Sequence, residues 1–213
     1  MREFARLPSR PSRDQFAEHE QANYDLVSAR TEKLNYGEYD TPARYFEALM
    51  NTPPLAAALV HLGKLVREGE LRGSYTNAER ELVDIVLGVD MGNNGIFTVH
   101  IPDALAVGVR LEAIDAIRSG DESALTEDER QIATYAREVV SGSVTDASYS
   151  AMTNRLGHRG AAEFTIFCGF LYMTIRLWQA LGVPDPSDEE IDALLDSLRV
   201  GDSEIPDPSA RIG

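Results

Sequence analysis

The stretch Glu79–His100, ERELVDIVLGVDMGNNGIFTVH, restricts the fold more than any other part of the chain. Leu82, Ile85, Val86 and Val89 recur at helical spacing, and Thr76 with Glu79 makes the Thr-x-x-Glu pattern of a helix-opening capping box. A Gly-Asn-Asn-Gly turn at 92–95 then breaks the periodicity, with Asn93 and Asn94 expected as turn formers in left-handed conformations. A second apolar segment, Ile96–Val107, follows it, and Pro102 must sit in its first turn or bend it. Two helical segments joined by so short a turn pack antiparallel, which brings residues of their facing sides within reach. Glu81 and His100 are the facing polar residues. A buried carboxylate beside an imidazole fixes its tautomer and stabilises its protonated form, which suits proton transfer.

The rest of the chain reads as helices too. A mobile start precedes a short helix over Arg13–Thr31, and Pro42 is placed to open ARYFEALM. LAAALVHLGKLVREG follows Pro53-Pro54, with Leu55, Leu59, Leu62 and Leu65/Val66 at helical spacing. Leu111–Ser119 is a short amphipathic helix, and Thr126 with Glu129 is a second capping box, opening a helix to Ser141. Thr145 or Asp146 caps YSAMTNRL. Ala161–Leu181 is the longest apolar helix, stopped by Gly182 and Pro184. Ser187 caps DEEIDALLDSL, and the remainder from Gly201 is expected to be disordered. No segment shows sustained period-two alternation and no repeat is evident. The expected fold is all-α with seven to ten helices: an N-terminal extension over 1–41, a compact domain over 42–184, and a C-terminal helix with tail over 185–213.

Composition narrows the function classes. With 20 Lys and Arg against 35 Asp and Glu, the net charge of −15 argues against a nucleic-acid-binding surface and against anionic membrane surfaces. The single cysteine, Cys168, excludes a disulfide framework and an intrachain dithiol centre. The N-terminus lacks a signal-peptide core, and the apolar run EFTIFCGFLYMTI is too short to span a bilayer, so the expected location is the cytoplasm. No His-Glu-x-x-His or Cys-His cluster is present, and one Glu with one His is too few ligands for a protein zinc site, so no metal and no cofactor are expected. Arg176 lies in an apolar helix where an unpaired guanidinium is costly to bury. It is expected to be half of an internal ion pair or an anchor for a substrate carboxylate. Tyr172, four residues earlier on the same face, is a candidate to line the pocket. His61 is expected to be partly exposed, and His19 and His158 have no assigned role.

From Tyr45 to Val183 the sequence resembles the carboxymuconolactone decarboxylase family, which includes alkylhydroperoxidase D-like proteins. The residues that carry this are Arg80-Glu81-Leu82 opening a helix, His100 nineteen positions after Glu81, and the closing GFLYMTIRLWQALGVP. The peroxidase branch has the pattern Glu-x11-Cys-x2-Cys-x3-His. Here Asn93 and Ile96 stand at the cysteine positions, so thiol peroxidase chemistry, which needs a thiolate and a resolving thiol, is excluded. The resemblance implies a compact multi-helix fold, a homo-oligomer (trimer or hexamer), and a small-molecule substrate that is carboxylated or lactone-like. It implies His100 as general acid/base with Glu81 orienting it, and Asn93 and Ile96 at the substrate. The implied reaction is lyase or isomerase-like. A hydratase or hydrolase on the same fold, and a non-catalytic family member, are the alternatives.

Overall fold

The computed structural model describes residues 6, 7, 10–34, 41–67, 75–202 and 205. All of the segment LNYGEYD after Leu34, the last two residues expected in the helix after Pro54, and most of the expected tail lie outside the described residues, as does most of the expected mobile start. Among the described residues the secondary structure is helical with no strand, as nine α-helices and two short 3-10 turns. They are α1 (Glu18–Leu34), α2 (Thr41–Leu49), α3 (Pro53–Arg67), α4 (Asn77–Asp90), α5 (Asn94–Ala106), α6 (Leu111–Ser119), α7 (Glu127–Ser141), α8 (Asp146–Leu181) and α9 (Asp188–Val200).

The helix starts follow from side-chain chemistry. Thr76–Glu79, Thr126–Glu129 and Ser187–Glu190 each form a reciprocal capping box, satisfying two orphan N–H groups at once. Thr145 accepts the N–H of Ser148 and caps α8. The two segments expected at 149–156 and 161–181 form one element, α8, broken by the single non-helical residue Gly157 (φ 70°). Pro102 falls deep inside α5 rather than in its first turn, because α5 begins at Asn94. The turn differs from expectation as well. Gly92 alone takes the left-handed conformation (φ 62°), while Asn93 is extended at φ −112° and acts as the N-cap of α5.

The chain divides into two compact units. In the first, residues 1–65 with 176–185, α1 packs on α2, and the Tyr45 ring stacks on Trp178 with centroids 5.6 Å apart. Tyr24 is held by Phe16, by Arg10 over its ring, and by a hydrogen bond to the Pro11 carbonyl.

In the second, residues 66–175 with 186–213, α4 is the central element and packs on α5, α6 and α7. Every residue of α4 from Arg80 to Gly88 is buried. The aromatic core is built by Tyr75, Tyr135, Phe164 and Phe167, with Tyr75 edge-on to Phe164 at 5.2 Å. Both tyrosines satisfy their hydroxyls, Tyr75 on the Val66 carbonyl and Tyr135 with Thr165. By length and composition α8 is sufficient to cross a membrane, which corrects the expectation of no such run. The small residues flanking the thirteen-residue apolar run extend it. Its buried stripe Phe164, Phe167, Cys168, Leu171 and Ile175 lies wholly within the protein core.

The α4–α5 hairpin is closed at Gly88. A Cβ built there would sit 2.9 Å from the Phe97 amide nitrogen and 3.1 Å from its Cα, and both are backbone atoms that cannot step aside alone. The Asn93 amide donates to the Gly88 carbonyl at 2.8 Å across the same contact. Gly88→Ala is therefore expected to cost about 1–3 kcal/mol of stability by overpacking, read from urea unfolding midpoints. A variant as stable as the parent would mean that the two helices do not approach this closely.

Candidate functional site

Residues three and four apart share a face of a helix, and on α4 this puts Glu81 and Asp84 side by side. Both look across the hairpin at α5. His100 Nδ1 lies 2.7 Å from Glu81 Oε2, and His100 Nε2 lies 3.6 Å from Asp84 Oδ1. The imidazole thus stands between two carboxylates, one on each ring nitrogen. The expected pairing of Glu81 with His100 is present, and Asp84 is an addition to it.

Two arginines hold the carboxylates from behind. Arg80 reaches Glu81 Oε1 with Nε at 3.1 Å and a terminal nitrogen at 2.6 Å, and donates a further bond to the Arg67 carbonyl. Arg67, the last residue of α3, forks onto both oxygens of Asp84 at 2.5 and 3.0 Å. The Phe167 ring lies against the guanidinium, 5.3 Å from Cζ to the ring centroid. The side chains of Glu81, Asp84 and Arg80 are 2%, 0% and 4% exposed; those of Arg67 and His100 are 21% and 15% exposed.

Burial alone raises a carboxyl and lowers an imidazole. For Glu81 that effect is outweighed by the charge and hydrogen bond of His100 and by Arg80 and Arg67, so its carboxyl is held well below the usual range. For His100 burial is outweighed by the charges of Asp84 and Glu81 and by the Glu81 hydrogen bond, with Arg67 opposing them, and the net direction is upward. Arg67, despite its burial, is pushed up by Asp84, Glu81 and Asp103 and stays charged. The two flanking carboxylates therefore favour the protonated ring. Its Nδ1–H donates to Glu81. Its Nε2 makes no hydrogen bond among the described residues, and the side chain keeps 15% of its surface exposed.

The other expected site residues are placed differently. Asn93 is fully buried, and its Oδ1 is spent on capping α5 through the Ile96 N–H at 2.7 Å, while its amide nitrogen has no partner among the described residues. A side chain so enclosed reaches no solute without local opening. Ile96 is core, 5% exposed. Tyr172 is 38% exposed on α8. Arg176 belongs to the first unit, is exposed and donates to Gln179. The burial cost that motivated its expected role does not arise, because it falls on the solvent-facing stripe of an amphipathic helix. Neither bonds to Glu81 or His100. His19, His61 and His158 are exposed. Cys168 is fully buried, and burial, with the charge of Asp84 adding to it, pushes its thiol further up, away from thiolate chemistry.

Glu81, Asp84 and His100 offer ligand atoms within 4.8 Å of one another, a geometry that can close on a cation. All four of these carboxylate oxygens already accept from Arg80, Arg67 or His100. A divalent ion would have to displace Arg67 from Asp84 and break the Glu81–His100 bond, against the charge of two guanidinium groups. The donor set fits a proton-handling cluster better than a cation cage.

Arg67, Arg80 and Asp84 are the members that sequence reasoning missed. Asp84 had a signal: a carboxylate inside the run Leu82–Leu87, three residues from Glu81. Arg80 adjoins Glu81, but nothing in the sequence ties Arg67, on another helix, to this cluster. No known protein-family model matches the chain, and no curated protein matches it.

The signs of the two shifts define a pH window. Glu81, lowered in the fold, contributes stability that is fully present above its ordinary 4.5 and is lost as pH falls through its depressed value. His100, raised in the fold, contributes in full below its ordinary 6.5 and loses that contribution as pH rises through its elevated value. The pair is therefore expected to stabilise most between pH 4.5 and 6.5. Urea midpoints measured against pH should fall on the alkaline side for the parent, and this fall should flatten in His100→Gln. An alkaline limb identical in both proteins would remove His100 as its cause.

Proposed function

We propose that this chain is a carboxymuconolactone decarboxylase-like enzyme, free of cofactor, that delivers a proton to carbon on a small carboxylated or lactone-like compound. The observation that carries the reading is the 2.7 Å contact between Glu81 and His100, nineteen residues apart on consecutive helices, in a chain helical throughout its described residues. Glu81 orients the ring and stabilises its charge, as a buried carboxylate does for a catalytic imidazole. In this reading the first step is donation from Nε2, since the two flanking carboxylates favour the protonated ring. This suits decarboxylation: the bond between the α-carbon and the leaving carboxylate breaks, its electron pair forms an enolate, carbon dioxide departs, and the imidazolium protonates the carbon. The neutral ring then regains its proton from water. Isomerisation that begins with proton abstraction asks for the neutral ring instead.

The proposal includes self-association. Ile166 and Tyr172 are 55% and 38% exposed along α8, large apolar side chains of the kind that a second copy covers. Light scattering behind size exclusion should give a multiple of the 23.5 kDa chain, and a clean species at that mass would end this part of the reading.

The reaction is tested by incubating the full chain in deuterated water with a panel of β-keto acids and carboxylated lactones, following carbon dioxide release and deuterium at the α-carbon by NMR. His100→Ala is expected to lower turnover by about 10²–10⁴-fold, the usual contribution of a positioned acid or base, with the circular dichroism spectrum retained. An unchanged rate removes His100 from the chemistry. Labelled oxygen from water appearing in the product would instead indicate hydration or hydrolysis.

A further inference from the structure

In the cluster around His100 every carboxylate oxygen already accepts at least one hydrogen bond, while some of the donors accessible at its edge are idle. Glu81 Oε1 takes two bonds from Arg80 and Oε2 takes one from His100; each oxygen of Asp84 takes one from Arg67. Arg80 places three of its N–H groups on Glu81 and the Arg67 carbonyl, and its side chain is only 4% exposed. The guanidinium of Arg67 has five N–H groups, of which Asp84 engages two, and its Nε–H makes no hydrogen bond among the described residues. His100 Nε2 has none either. The solvent-facing groups are thus the two cations, with the carboxylates behind them: Arg67 and His100 keep 21% and 15% of their side chains exposed, against 2% or less for Glu81 and Asp84.

A partner for idle donors must bring acceptors. We propose that Arg67 and His100 Nε2 together form a binding site for a single small carboxylate, with Arg67 as the anchoring residue. Arg67 Nη2 and His100 Nε2 lie 2.5 and 3.6 Å from the same oxygen, Asp84 Oδ1, so the two groups are neighbours and one planar carboxylate can bridge their idle donors. Phe167 covers one side of the guanidinium and Asp84 occupies one edge, which fixes the plane in which the ligand must lie. Asp103, whose charge also acts on Arg67, limits the site to a small anion of low charge. The inference rests on the acid–base reading of His100 only for the step after binding, in which the ligand's neighbouring carbon is delivered to Nε2.

The test is calorimetric titration of the full chain with sodium acetate and sodium malonate at fixed ionic strength, with sodium chloride as control, and with the imidazole resonances of His100 followed by NMR. Acetate or malonate should bind, shift the His100 Nε2 resonance, and bind at least tenfold more weakly to Arg67→Lys, which keeps the charge but loses the planar fork. Arg67→Gln leaves Asp84 buried without its partner, so its result counts only alongside a retained unfolding transition, and Arg67→Lys carries the comparison. Affinity equal in Arg67→Lys and the parent, a chloride effect equal to that of acetate, or an unmoved His100 resonance each overturns the site. Carboxylate binding that depends on Arg67, in a protein with no turnover on any panel compound, would sink the enzymatic reading and leave this site standing.

Discussion

Two carboxylates buried three residues apart on α4 set the terms for everything around them. A carboxylate removed from water is unfavourable by several kcal/mol unless cations and hydrogen bonds replace its hydration. Glu81 and Asp84 meet this demand with Arg80 from their own helix, Arg67 from the end of α3, and His100 from across the hairpin. Three elements are tied to one another by the electrostatics of two side chains. The histidine's environment has the same cause: flanked by acids on both sides, the ring is favoured in its charged form.

The hairpin that brings α5 into this arrangement depends on backbone approach rather than on charge. Gly88 lets the Phe97 backbone come close, and the Asn93 amide locks on to the Gly88 carbonyl while the Asn93 side chain caps α5. This explains why Asn93 has a structural task at a position where the family resemblance implied a substrate contact. Its oxygen caps the helix, and the side chain is enclosed in the core.

Much of the fold was legible because helix signals are local. Apolar spacing, the capping residues Thr76, Thr126 and Ser187, and the stop at Gly182 depend only on neighbours a few residues away. The Glu81–His100 pair was legible for the same reason, since one short turn determines which faces of the two helices meet. Where reading went astray, the deciding contact was distant or stereochemical. Pro102 entered the interior of α5 because the helix starts two residues early, at an Asn cap, and the turn placed its positive φ on Gly92 instead of on the asparagines. Arg176 looked buried because its neighbours are apolar, yet residues on one helix alternate between core and solvent.

Residue order alone was enough to make this chain helical, to mark where most helices begin and end, and to bring an acid and an imidazole together across one hairpin. All three are consequences of spacing along a single chain. The position of Asp84 at the second ring nitrogen, and of Arg67 from a different helix holding it there, came from the packed fold. So did the cationic character of the cluster's exposed edge. Those features turn on which helix packs beside which, and packing neighbours are chosen by shape and charge across the whole core, beyond the reach of any local pattern.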